Sequence, residues 1–196
     1  MLEHVEPGAL VTSNLQVEQV LGHGGMAIVY QVRDVTDGSR HALKVLQTED
    51  PQFRRRMLKE GELIASLTSP HLVRLHGELR VDGQPGLLME LARGPTLRQF
   101  LKLGDPSLEC ALTLFRGICM GVGTAHAAGV VHRDLKPSNV LLHVESGFVI
   151  PKVVDFGVAK DLIDGQGLTA AGMTFGTPRY MAPEPVSYTH LRAHET

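Results

Sequence analysis

Residues 132–139 read His132-Arg133-Asp134-Leu135-Lys136-Pro137-Ser138-Asn139, and the segment Asp155-Phe156-Gly157 follows a short distance downstream. Together these segments supply a carboxylate that can orient a hydroxyl group, a cation for a phosphate, and an amide with a second carboxylate for Mg²⁺. The second segment alone would carry little information. Both segments in this order indicate phosphoryl transfer from a metal-bound nucleotide.

Four residues of these segments are the candidates for the chemistry. We predict that Asp134 accepts the proton of a substrate hydroxyl, or at least orients that hydroxyl, because in-line transfer needs an aimed nucleophile more than a strongly activated one. Lys136 can neutralise charge on the moving phosphoryl group. Asn139 and Asp155 offer the hard oxygen ligands that Mg²⁺ prefers. Turn formation would explain a single Asp or Asn, but not all four residues together.

Length and composition are those of an ordinary soluble protein. The chain has 196 residues, 43% of them hydrophobic, which is enough for a core in one domain or two small lobes. A formal net charge of -2 predicts no nucleic-acid partner. No stretch approaches about 18 consecutive apolar residues, so we expect a cytoplasmic chain without a membrane segment. Cys110 and Cys119 lie in an apolar helical pattern, which predicts buried free thiols.

The spacing of apolar residues divides the chain near residues 91–95. Alternation predicts three strands within residues 15–46 and two more at 72–79 and 85–90. Helical spacing predicts one helix at 50–67, between these two groups of strands. After the break we predict a short helix at 96–103, a long helix at 107–128 ended by Gly129, short strands that carry the motifs, and a loop over residues 164–176.

Two upstream elements extend the nucleotide hypothesis. The turn Gly22-His23-Gly24-Gly25 can bring its backbone amides close to phosphate oxygens, although a plain hairpin turn is the alternative explanation. Lys44 lies in the middle of the apolar segment His41-Ala42-Leu43-Lys44-Val45, where an ammonium group is costly to desolvate without an anionic partner. Phosphate oxygens would be that partner.

The order of these motifs resembles that of the eukaryotic-type protein kinases. The segment Gly24-Gly25-Met26-Ala27-Ile28-Val29-Tyr30 looks most like bacterial members, although Ala27 stands where a third glycine is usual. Lys136-Pro137 and Gly176-Thr177 resemble the Ser/Thr branch. The resemblance implies an α+β, bilobal fold with a five-stranded antiparallel N-lobe containing one helix, and a mainly helical, incomplete C-lobe. It also implies ATP, Mg²⁺ or alternatively Mn²⁺, protein substrates and phosphorylation of the protein itself.

The resemblance also assigns residues around the nucleotide. Glu60 would pair with Lys44, with Glu62 as the competitor and a solvated helical carboxylate as the alternative for both. The nucleotide would contact the glycine-rich turn, a gatekeeper, a hinge and three apolar residues that sandwich the adenine. These are Leu21, Gly22, Gly24 and Gly25, then Met89, the Glu90 carbonyl and the Ala92 amide, and finally Val29, Ala42 and Leu141. Ile64, His132 and Phe156 would belong to a column that links the lobes.

Regulation is predicted at the loop that follows Asp155. In the family, an arginine in the position of Arg133 commonly receives a phosphothreonine, and Thr169 and Thr174 are the candidates. The alternative is that these threonines merely keep a mobile loop soluble. Thr177 is expected to be a fixed hydrogen-bonding residue near the catalytic loop.

The family pattern stops after Ala182-Pro183-Glu184. Residues 185–196 resemble the translation of a sequencing adapter, so the expected organisation is an N-lobe at 1–90, a partial C-lobe at 91–184 and a non-native tail at 185–196. Without the helices that usually follow, we expect an exposed apolar face on the 107–128 helix and an inactive fragment, although the intact parent could carry a membrane anchor. The alternatives are a nucleotide-binding pseudokinase or scaffold, and a small-molecule phosphotransferase.

Overall fold

The computed structural model describes residues 5–24, 27–47, 55, 61–62, 64–156 and 180. Several of the predicted functional positions lie outside these residues. They are Gly25, Glu60, Thr169, Thr174 and Thr177, the 164–176 loop and the segment 182–196.

The N-terminal half forms a five-stranded antiparallel sheet, as predicted. The strands are β1 (Leu15–His23), β2 (Ala27–Asp34), β3 (Arg40–Leu46), β4 (Leu75–Val81) and β5 (Gln84–Glu90), in the spatial order β1-β2-β3-β5-β4. Asp82 and Gly83 connect β4 to β5 with φ angles of 49° and 79°, which suits a two-residue hairpin. β4 begins at Leu75, three residues later than predicted, because Leu72 and Val73 instead contact Val153 downstream.

The two faces of this sheet have different roles. One face builds a core from buried side chains of four strands: Leu15, Val17, Ile28, Tyr30, Val32, Leu43, Val45 and Val81. Because side chains alternate along a strand, Ala42 and Lys44 of β3 point to the opposite face. Both residues line cavities on that face.

Gly61, Glu62, Ile64 and Ala65 are helical, within the helix predicted between β3 and β4. Downstream, α1 spans Leu97–Phe100 and α2 spans Leu108–Ala127. Thr96 caps α1 in a capping box with Gln99. The helix is shorter than the predicted 96–103 because it buries no residue, so little packing extends it beyond Phe100.

α2 matches its prediction closely. Ser107 caps its start by accepting a hydrogen bond from the Cys110 amide, and Gly129, with φ 77°, follows its end. The expected exposed apolar face is present and includes Leu108, Leu112, Phe115 and Met120. The predicted burial of both thiols is wrong, because Cys119 lies on the exposed side and Cys110 is half-buried.

α2 packs against a two-stranded hairpin formed by β6 (Val140–Glu145) and β7 (Phe148–Val153). Gly117 lies against Pro151 of β7, and both Gly117 and Gly121 approach His71 so closely that no side chain would fit between. Within the described part of the chain, α2 alone is long and apolar enough to cross a membrane by length and composition. Its packing against β7 is that of a core helix of a folded domain.

Candidate active site

A cavity of about 550 Å³ lies beneath the sheet, on the face that carries Ala42. Eight of the residues predicted to contact a nucleotide line it: Leu21, Gly22, Val29, Ala42, Met89, Glu90, Ala92 and Leu141. Gly24 does not line it; its amide instead donates to the Ala27 carbonyl across the glycine-rich turn. A ring-shaped ligand in this cavity would contact β2 and β3 on one side and β6 on the other.

Lys44 and Asp155 meet beside two cavities: both line a small one under the sheet, and Asp155 also lines the larger one. Lys44 Nζ lies 2.6 Å from Asp155 Oδ1, although 111 residues separate them in the chain. Asp155 adopts a left-handed backbone conformation with φ 55°, which is uncommon for a residue with a side chain. The predicted partner of Lys44, Glu60, lies outside the described residues, and the partner that the structure gives is the predicted metal ligand Asp155.

The loop after α2 gathers the other predicted catalytic residues. Lys136 Nζ lies 2.7 Å from Asp134 Oδ2. Asn139 is buried, and its Nδ2 donates to the Asp134 carbonyl oxygen at 3.0 Å and to Asp134 Oδ2 at 3.3 Å. These bonds occupy the amide nitrogen of Asn139 and leave its Oδ1 for another contact. The Asn139 carbonyl accepts from the Val154 amide at 3.0 Å, which joins this loop to the residue before Asp155.

The His132 ring connects the catalytic loop to the residues before Asp155. Its ring is buried and lies 4.7 Å from that of Phe156, and Ile64 packs against the same hydrophobic cluster as Phe156. One ring nitrogen, Nε2, bonds the Val154 carbonyl at 3.0 Å, and the other, Nδ1, accepts from the Asp134 amide at 3.3 Å. Burial lowers the pKa of His132, and the bond to the Val154 carbonyl opposes that shift in part. Arg133 between His132 and Asp134 has φ 59°.

A second ion pair near the cavity was missed by the sequence interpretation. Lys152 of β7 is buried, and its Nζ lies 2.9 Å from Glu90 Oε1 and 3.1 Å from Glu90 Oε2. The Arg74 amide also donates to Glu90 Oε2, at 3.2 Å. The sequence does contain a signal for this pair: Lys152 lies in the apolar run 148–154, just as Lys44 lies in 41–46, and a lysine in such a run needs an anionic partner. The sequence assigns Glu90 to the nucleotide through its backbone carbonyl, whereas in the structure the Glu90 side chain fixes β5 to β7.

His143 of β6 was also missed. It is buried, and its Nδ1 accepts a hydrogen bond of 2.9 Å from the Arg93 amide, next to the cavity residue Ala92.

Comparison with known proteins identifies the family of this chain. The profile of the protein kinase domain family matches residues 15–195, and the chain belongs to that family. A probable serine/threonine-protein kinase of Streptomyces coelicolor is 40% identical over 174 residues, which are 84% of this chain and 25% of the relative. The serine/threonine-protein kinase PknA of Mycobacterium tuberculosis is 37% identical over 186 residues, 90% of this chain and 42% of the relative. The chain therefore spans between 25% and 42% of the length of these relatives.

Solved structures show the same fold. The Mycobacterium tuberculosis PknI kinase domain is similar with a TM-score of 0.66 and 29% identity, over 83% of this chain and 69% of that one. Rad53 residues 1–466 in complex with AMP-PNP is similar with a TM-score of 0.73 and 26% identity, over 90% of this chain and 43% of that one. The α+β kinase fold expected from the sequence is confirmed, with its five-stranded antiparallel N-lobe sheet.

Proposed function

We propose that this chain is the catalytic part of a serine/threonine protein kinase, which transfers the γ-phosphoryl group of ATP to hydroxyl groups of proteins and of itself. The observation that carries the proposal is the convergence of Lys44, Asp155 and the 134–139 loop next to one cavity. A protein that bound nucleotide merely as a scaffold would not need Asp134 and Lys136 held together in this way.

The loop residues have separable roles in this proposal. Asp134 is held at Oδ2 by Lys136 and Asn139, so its carboxylate has a defined direction in which to orient a substrate hydroxyl. Lys136 is near enough to Asp134 to neutralise charge on a phosphoryl group passing between them. Lys44 would exchange its contact with Asp155 for phosphate oxygens of the nucleotide.

Asn139 and Asp155 would hold the divalent ion. The donor set fits: Asn139 Oδ1 and the Asp155 carboxylate are hard oxygen ligands, as Mg²⁺ and Mn²⁺ require, and the Asn139 nitrogen is already engaged with Asp134. When bound, the ion would neutralise phosphate charge and align the phosphoryl group. The left-handed backbone of Asp155 directs its carboxylate toward Lys44 and the cavity.

Regulation and location remain part of the proposal. Phosphorylation of Thr169 or Thr174 would add nearly two negative charges that Arg133 could bind, and Thr177 would hydrogen-bond near the catalytic loop. Free thiols at Cys110 and Cys119 favour a reducing, cytoplasmic location for this part of the protein.

The test is phosphate transfer by the protein expressed from its full reading frame, since this chain spans only part of its relatives. Labelled ATP with Mg²⁺ is incubated with the protein alone and with a basic protein substrate. We expect labelled phosphoserine or phosphothreonine, lost in Asp134→Asn and retained in the surface control Arg40→Gln. Nucleotide binding without transfer in the unmodified protein would instead support a scaffold.

A further inference from the structure

The segment that follows β5 is fixed to β6 along its length. The Val144 amide donates to the Arg93 carbonyl at 2.8 Å, and the Leu142 amide donates to the Pro95 carbonyl at 2.9 Å. Gly94 between them approaches the Leu142 carbonyl so closely that an added Cβ would lie 1.9 Å from its oxygen. These contacts place residues 93–95 directly on the hairpin.

The Arg93 amide also donates a hydrogen bond to β6, but its acceptor is the side chain of His143. A backbone N–H can only donate, so His143 Nδ1 must supply a lone pair at 2.9 Å. Nδ1 therefore carries no proton while this hydrogen bond is made. His143 has 9% of its surface exposed, so little water competes for its Nδ1, although Arg93 itself is an exposed residue.

This hydrogen bond acts on the cavity through one rigid unit. The Arg93 amide and the Ala92 carbonyl belong to the same planar peptide group, so fixing one fixes the other. Ala92 lines the cavity, and within the described residues its own amide has no backbone partner. The 92–93 peptide group is thus held by His143, while the preceding amide, that of Ala92, remains available to a ligand in the cavity.

We propose that His143 is a positioning residue for the purine of the nucleotide, and that it acts through its Nδ1 acceptor rather than through the bulk of its ring. The proposal rests on the proposed nucleotide binding. His143 is not among the residues that line the cavity, and it would orient the 92–93 peptide group through its bond to the Arg93 amide.

Replacing His143 by asparagine, glutamine or leucine distinguishes a role of the Nδ1 acceptor from a role of the bulk of the ring. In His143→Asn, Oδ1 can occupy the place of Nδ1 and accept from the same amide. In His143→Gln the side-chain oxygen lies one bond further out, and in His143→Leu the acceptor is lost while apolar bulk is kept. The Asn variant tests the acceptor, and the Leu variant tests the bulk.

The first measurement is the dissociation constant of Mg²⁺–ADP for the unmodified protein and the three variants, by titration of a fluorescent ADP analogue. We expect roughly five- to tenfold weaker binding in the Leu and Gln variants, and binding within about twofold of the unmodified protein in the Asn variant. In the full-length enzyme the KM for ATP should rise by the same factor while kcat stays nearly constant, because the residues that transfer phosphate are untouched.

The second measurement is hydrogen exchange at the Arg93 amide, which needs no nucleotide. Exchange should be faster in the Leu and Gln variants and unchanged in the Asn variant. Equal nucleotide affinity in all variants would overturn the proposal, as would an equal loss in the Asn and Leu variants. If the Leu variant does not fold, the Asn and Gln variants give the same comparison. An unmodified protein that does not bind ADP would refute the proposed function. Unchanged exchange at Arg93 in the Leu and Gln variants would refute the hydrogen bond from the Arg93 amide to His143.

Discussion

Lys44 Nζ and Asp155 Oδ1 lie 2.6 Å apart and join the sheet to the segment that follows β7. Neither side chain is fully buried, with 20% of Lys44 and 45% of Asp155 exposed. Pairs with this much solvent contact contribute about 0–1 kcal/mol to stability, because water screens the charges. We therefore expect the pair to matter more for phosphate transfer than for the stability of the fold, and these two quantities can be measured separately.

Lys44→Met should leave the free energy of unfolding within about 1 kcal/mol of the unmodified protein. The same change should lower the rate of phosphate transfer at least about 100-fold, because it removes a charge aimed at the phosphates. Urea unfolding and a labelled-phosphate assay measure the two quantities. Arg40→Gln, which breaks the exposed pair of Arg40 with Glu18 in the same sheet, is the control and should leave transfer unchanged. Full activity in Lys44→Met would contradict the assigned role.

The pair between Lys152 and Glu90 should behave in the opposite way. Lys152 retains 9% of its side-chain exposure and Glu90 retains 26%. Lys152→Met leaves the Glu90 carboxylate without its cation, so stability should fall toward the lower end of the about 3–5 kcal/mol typical of broken buried pairs. The double variant Glu90→Gln with Lys152→Met should recover part of that loss. A double variant as unstable as the sum of the single variants would show that the two groups do not interact.

These two lysines show what the sequence could and could not predict. Lys44 lies in an apolar strand, which predicted that it needs an anionic partner, and the order of the motifs predicted that Asp155 belongs to the same site. Each of these signals is contained in a short stretch of sequence, so it can be recognised without the fold. The same argument applied to Lys152, yet no motif pointed to Glu90, which lies 62 residues away. The hydrogen bond from the Arg93 amide to His143 likewise depends on which strand lies beside which segment. Periodicity tells which face is buried, but the partner across the fold is set by tertiary packing.

The buried His132 should make stability depend on pH. Burial lowers its pKa in the folded state, so below the unfolded-state value of about 6.5 the unfolded chain binds more protons than the folded one. The contribution of neutral His132 is therefore complete above about pH 6.5 and is lost as the pH falls from there toward the folded-state pKa.

His132→Phe keeps a ring against Phe156 and removes this titration. Unfolding free energies of both proteins, measured between about pH 7.5 and pH 5, should fall more steeply for the unmodified protein than for the variant. The other histidines are common to both proteins and cancel in the difference. Parallel pH profiles would mean that His132 has the same pKa in the folded and unfolded states.

Gly94 and Gly104 form a matched pair for testing how tightly residues 93–95 lie against β6. Both have positive φ angles, 151° and 144°, which disfavour any side chain. A Cβ at Gly94 would overlap the Leu142 carbonyl oxygen, whereas a Cβ at Gly104 would meet nothing within 4 Å. Gly104→Ala should cost about 1–3 kcal/mol from backbone strain alone, and Gly94→Ala should cost more and also weaken ADP binding. Equal costs in the two variants, measured by urea unfolding, would show that the close contact is not maintained in solution.

The last prediction concerns α2, where two glycines two residues apart, on opposite sides of the helix, should respond to alanine with opposite signs. Gly121 faces His71, and an added Cβ would lie 2.6 Å from the His71 carbonyl oxygen, which belongs to the backbone and cannot rotate away. Gly123 lies on the exposed side and an added Cβ would meet nothing within 4 Å. Gly123→Ala should therefore stabilise the protein by about 0.5–1 kcal/mol through helix propensity.

Gly121→Ala gains the same propensity but forces α2 away from the 69–72 segment, and overpacking of this kind costs typically about 1–3 kcal/mol. We expect a net loss of stability, measured as the free energy of unfolding in urea, with an unchanged dependence on denaturant concentration. The displacement would reach the active site, because His71 Nδ1 is bonded to the Pro151 carbonyl of β7, at 3.0 Å, and the His71 carbonyl accepts from the Val153 amide. Stabilisation by both alanines would mean that α2 does not pack on this segment as closely as the structure shows.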